Sequence, residues 1–126
     1  MSHYAWDGPS AAHRHYEDAV SLEGSRRFDN AGYHFGLAAE SALKELLLRA
    51  GVPPNHEALW KHFPELRDLA AQAVRGRGSA PLLRLIDAGG LPDWEIKMRY
   101  AKTGSVRTDR LKQWRDKARE ALAALE

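Results

Sequence analysis

The chain has no cysteine, which excludes a disulfide framework and a thiolate zinc site and fits a reducing compartment. It has no apolar run approaching the roughly 20 residues of a membrane span. Its opening residues carry no apolar core that could serve as a signal peptide, so the sequence reads as cytoplasmic and free of the membrane. Alternation of period two, the mark of a half-buried strand, is missing throughout. Net charge is small, +2 at neutral pH, too little by itself to call for a nucleic-acid partner. Histidine is absent after His62, leaving the second half of the chain without a side chain that ordinarily titrates near neutrality.

What the chain does have is apolar spacing of three and four. The longest uninterrupted helical stretch covers residues 28–50, with Ala31, Phe35, Ala38, Ala42 and Leu46 in one row and Ala39, Leu43, Leu47 and Ala50 in a second. Gly51 and the pair Pro53 and Pro54 end it. Before it, Ser10 is the expected N-cap of a helix carrying Ala12, Tyr16, Ala19, Val20 and Leu22 inward, with His13, Glu17 and Glu23 on the wet side and an end near Gly24. A turn at residues 25–27 folds the two helices into a hairpin, and Tyr4 and Trp6 of the lead-in are expected to fold back on the core.

Beyond the prolines, Leu59, Trp60, Phe63, Leu66, Leu69, Ala70 and Ala73 mark one or two shorter helices divided at Pro64. The glycines and arginines of residues 75–79 form a solvated loop. No strand precedes it, so it is not a phosphate-gripping glycine loop, and no cofactor is called for. A short helix over residues 81–88 follows, then a break at Gly89 and Gly90, then a turn that Asp93 can cap and that carries Trp94, Ile96 or Lys97, and Met98. The last helix, capped by Ser105 or Thr108, buries Leu111, Trp114, Ala118, Leu122 and Leu125, and Arg110, Lys112, Arg115, Lys117 and Arg119 project outward. The fold class is therefore all-α: one domain spanning residues 1–126, an up-and-down helical bundle of about four main helices with short extra helices.

Charge is unevenly placed. Between residues 97 and 119 nine lysines and arginines face only Asp109 and Asp116, a basic quarter that reads as a solvated face or a partner surface. Glu40 stands in the central helix where a buried position would ordinarily carry alanine or leucine, and Lys44 follows one turn later. A carboxylate left unpaired there would cost several kcal/mol or take up a proton. Arg99 and Lys44 are its expected partners. His13 and His15 cannot face the same way on a helix, and His56 and His62 lack a supporting carboxylate cluster, so no metal site is expected.

The succession HYEDAVSLE, AGYHFGLAAESALKELL, GVPP, His56 and WEIKMRYA before a final helix resembles the HEPN superfamily, and most closely its small stand-alone bacterial members. The resemblance covers residues 13–122 and rests on the order and spacing of its parts. It implies a four-helix core, a homodimer formed through the face bearing the late arginine, a place in toxin-antitoxin or defence systems and, in many members, metal-independent RNA cleavage. Such cleavage uses an arginine followed after four to six residues by a histidine, a cation to hold the phosphate and an imidazole to move a proton. Arg99 matches the arginine, but Gly104, Ser105 and Val106 occupy the positions open to the histidine. Arg27 with His34 and Arg49 with His56 have the spacing at the wrong end of the chain. The expectation is thus a non-catalytic module that dimerises and binds RNA, a nucleotide or a partner protein. Arg99, Tyr100, Lys102, Glu40, Lys44 and His34 are the candidate ligand-binding residues, and Arg99 and Tyr100 the candidates for any catalysis. The alternatives are an endoribonuclease with a non-standard site around Arg99, or a structural, antitoxin-like subunit of a nucleotidyltransferase or nuclease. A surplus of large apolar residues, Trp60, Phe63, Trp94, Met98 and Trp114, adds to the case for a dimer.

Overall fold

A computed structural model of the chain describes residues 3–76, 78–87 and 90–126. Among the described residues five α-helices make up the bundle: α1 (Gly8–Gly24), α2 (Phe28–Arg49), α3 (Glu65–Ala73), α4 (Ala80–Asp87) and α5 (Thr108–Ala124). Short 3₁₀ helices at Glu57–Trp60 and Ile96–Tyr100 join them, and no strand occurs among the described residues. Helix α2 is the axis, packed along α1 on one side and α5 on the other. Both rows read from its sequence are buried from Ala31 to Leu47, with Ala50 half-buried where the helix ends. The end itself is set by Gly51, whose φ of 94° lets the Val52 amide turn back to the Leu47 carbonyl at 3.0 Å.

The start of α1 differs from expectation. Asp7, and not Ser10, is the N-cap, its carboxylate accepting the Ser10 amide at 3.0 Å. Pro9 has no amide to satisfy and its fixed φ suits a first helical turn, so the helix begins before the apolar pattern does. The hairpin turn is as read, closed by the Arg27 amide on the Leu22 carbonyl at 2.8 Å. Tyr4 and Trp6 do not fold back on the core; they are 87% and 58% exposed. Val20 and Trp60, both read as inward-facing, are also exposed.

The seam of α5 is buried from Leu111 to Leu125. Neither Ser105 nor Thr108 caps it. Arg107 holds the cap position and no side chain caps the helix; the Ser105 hydroxyl donates to the Lys102 carbonyl instead. Lys117 is not on the outside. It is buried, its ammonium 3.4 Å from the Leu85 carbonyl, while Arg67 donates to the Ile86 carbonyl at 2.7 Å. Two cations thus meet the C-terminal carbonyls of α4, where unpaired oxygens concentrate negative charge. In the loop expected at residues 75–79, Arg77 lies outside the described residues, as do Ala88 and Gly89 beside the second glycine break.

Candidate functional site

The late basic segment is held at both ends and bare in the middle. At its start Trp94 is buried, its indole donating to the Gly32 carbonyl at 3.3 Å and stacking on Tyr33 with ring centroids 5.9 Å apart. The approach needs glycine on α2, since a β-carbon on Gly36 would fall 2.0 Å from the Trp94 nitrogen. Asp93, at φ 63°, accepts Arg110 at 2.6 Å, and the Trp114 indole donates to the Pro92 carbonyl at 2.8 Å. At its far end Asp29, in the first turn of α2, accepts the amides of Gly104 and Val106 at 2.8 and 3.0 Å.

Between these anchors the 3₁₀ turn Ile96–Tyr100 leaves Lys97, Arg99, Tyr100 and Lys102 exposed. Tyr100 is 82% exposed, and the Arg99 guanidinium carbon lies 5.4 Å from its ring centroid. No carboxylate pairs with Lys97, Arg99 or Lys102 among the described residues. A shallow cavity of about 280 Å³ beside them is lined in part by Lys97, Met98, Arg107 and Trp114.

Glu40 is buried as its setting required, but Arg99 does not meet it. The carboxylate accepts the Phe63 amide at 2.8 Å with one oxygen and stands 2.9 Å from His62 Nδ1 with the other. An ionised carboxylate only accepts, so that nitrogen carries the hydrogen. His62 therefore has the supporting carboxylate that its sequence neighbourhood lacked, and its ring is partly in water. Lys44, also buried, lies within the field of Glu40. Burial pushes its amine below the ordinary lysine range and the Glu40 charge pulls it partway back.

His34 sits elsewhere, against α1. Its Nδ1 is 3.1 Å from that of His15, and the ring centroids are 5.3 Å apart. Burial lowers the pKa of both imidazoles. His15 is lowered further by His34 and Arg14, and Asp18 opposes the shift at each. The six candidate residues thus fall into three groups: Arg99, Tyr100 and Lys102 on the exposed turn, Glu40 and Lys44 inside, and His34 with His15. Asp29, His15 and His62 were missed, since their partners lie 19 to 77 residues away and nothing local marks them. Among the described residues no group of three or more histidines, acids or cysteines is arranged to hold a metal, and no helix is long and apolar enough to cross a membrane. No protein-family model, curated protein or solved structure matches the chain.

Proposed function

We propose that the chain is a HEPN-like module that binds single-stranded RNA through the turn bearing Arg99 and Tyr100 and does not cleave it. The observation that supports this is the Tyr100 ring, presented to water beside Arg99 and flanked by Lys97 and Lys102. A bare aromatic face stacks on a base whatever its identity, and cations without carboxylate partners neutralise the phosphates on either side. Cleavage would need an imidazole beside the cation that holds the phosphate. No hydrogen bond, ion pair or ring contact joins Arg99 to a histidine among the described residues.

Homodimerisation is part of the proposal, on a narrower base than sequence alone offered. Of the five large apolar residues counted as surplus, Phe63, Trp94 and Trp114 are core, Met98 is half-buried and only Trp60 is exposed.

Titrating a fluorescently labelled single-stranded RNA with the protein while following anisotropy tests the reading. Binding that falls steeply with salt is expected, weakened about tenfold by Tyr100→Ala, as loss of one stacked base at about 1–3 kcal/mol implies. Arg99→Ala should weaken binding and flatten the salt slope by about one. Absence of binding at low salt would refute the RNA reading and favour a protein-partner role. Cleavage abolished by Arg99→Ala would refute the non-catalytic one.

A further inference from the structure

The cavity of about 280 Å³ beside the basic turn lies between the 3₁₀ turn Ile96–Tyr100 and the start of α5, and its wall mixes apolar surface with charge. Met98, Val106 and Trp114 supply the apolar part. Its volume falls just under the roughly 300–1,000 Å³ that holds a drug-sized molecule, which suits one small flat ring system. The thioether of Met98, half-buried here, is a favourable contact for such a ring.

Most of the charge around the cavity is already engaged. Asp29 accepts the Gly104 and Val106 amides, one oxygen to each. Arg110 donates to Asp93 at 2.6 Å and to Gln113 at 2.7 Å, and Arg107 forks onto the two oxygens of Asp109 at 3.1 and 2.6 Å. Two charged side chains on the wall have no hydrogen bond or ion pair among the described residues, the Glu95 carboxylate and the Lys97 ammonium, and both are exposed. A carboxylate on a surface that binds a polyanion repels every phosphate it meets. Its place there is favourable only against a neutral group rich in donors.

We infer, resting on the RNA-binding reading of the adjoining turn, that this cavity takes a guanine of the bound single strand, the neighbour of the base stacked on Tyr100. Along its Watson–Crick edge guanine presents an acceptor, O6, followed by two donors, N1–H and the N2 amine. The two oxygens of Glu95 accept both donors, and the Lys97 ammonium donates to O6. Uracil offers a carboxylate one donor at that edge. Adenine and cytosine offer one amine beside a ring nitrogen that only accepts, and a carboxylate repels it. Sequence-specific binding of single-stranded RNA works through such edges of unstacked bases, so Tyr100 and the cavity divide the work: stacking without regard to sequence, and reading of one base.

The test compares labelled single-stranded RNAs by anisotropy at low salt: an oligouridine, and the same chain with one central guanosine, inosine, adenosine or cytidine. The guanosine RNA should bind about tenfold tighter than the others, as one good bidentate base contact implies. Inosine belongs with the others, since it lacks only the N2 amine. Glu95→Gln should erase this preference and raise the affinity for oligouridine slightly, because removing a negative charge favours every phosphate nearby. Glu95 is exposed and its carboxylate unbonded among the described residues, so the substitution leaves the fold intact. A residue that only shapes the turn would weaken all the RNAs alike, and a uniform loss in this variant would overturn the inference. A guanosine preference that persists in Glu95→Gln would overturn it too, by placing the readout elsewhere. Equal binding of all the RNAs by the parent would overturn the base reading and leave the RNA-binding proposal standing. Failure of every RNA to bind would refute that proposal and the guanine site with it.

Discussion

The Trp94 indole rests on Gly36 with no space for a side chain between them, a β-carbon there coming within 2.0 Å of Nε1 and 2.1 Å of Cε2. Because Trp94 is 1% exposed and bonded to the Gly32 carbonyl, it has nowhere to retreat without opening the core. Gly36→Ala should therefore destabilise the protein by about 2–3 kcal/mol even though alanine is the better helix former by about 1 kcal/mol. Gly24→Ala, at the end of α1 with nothing within 4 Å, should be neutral or stabilising by up to about 1 kcal/mol. Urea denaturation of the two variants beside the parent measures the contrast.

This pair also shows where sequence reading reached its limit. The rows of α2 and the seam of α5 were legible because a helix face repeats locally, and a buried face cannot hide its period. Glu40 was legible as an anomaly within such a row. Its partner was not, because His62 reaches it across 22 residues through a loop whose path no periodicity describes. Gly32 and Gly36, one turn apart in a helix that glycine disfavours, did carry a local sign that something large approaches; which aromatic it was, 62 residues on, they could not say. Lys117 went the other way. Its spacing placed it with the outward cations, and only the end of α4 arriving above it makes burial tolerable.

Glu40 and His62 should contribute unequally. Glu40→Ala leaves the buried Phe63 amide without an acceptor and the Lys44 amine without its nearest opposite charge, so a loss of about 2–3 kcal/mol is expected. His62→Ala leaves a buried carboxylate that still holds the Phe63 amide, and the vacated space opens to water because the imidazole is 44% exposed. About 1 kcal/mol or less is expected. Chemical denaturation at neutral pH gives both values, and equal losses would contradict this division.

Stability should fall on the acid side of neutrality through His15 and His34. Both imidazoles have folded-state pKa values below the ordinary 6.5, first through burial and, for His15, next through the other ring. The unfolded chain therefore binds more protons in the window between the folded values and 6.5, and unfolding free energy rises with pH across it. The full contribution is present above that window and is lost as pH falls through 6.5 and toward the folded values. Arg14 works in the same direction on His15, and Asp18 works against it at both rings. Urea midpoints at pH 7.5 and pH 5.5 should differ in the parent by more than in His34→Gln, whose remaining imidazole has lost its charged neighbour. An unchanged difference in that variant would rule the pair out as the source.

Asp29 ties the loop after Tyr100 to the start of α2, and its removal should loosen that loop more than it unfolds the protein. The carboxylate accepts two amides, Gly104 at 2.8 Å and Val106 at 3.0 Å, and also sits in the first turn of α2, where negative charge is favourable. Both amides are near enough to the surface for water to replace the lost acceptor, so Asp29→Ala should cost only about 1 kcal/mol of global stability. Locally the effect is larger, because the loop is otherwise held at this end chiefly by the Val106 side chain against the core. Limited trypsin digestion reads this directly: cleavage after Lys102 and Arg107 should accelerate several-fold more than cleavage after Arg84 in α4. Uniform acceleration at all three sites would mean that Asp29 acts on the whole fold, and the local tether would be disproved.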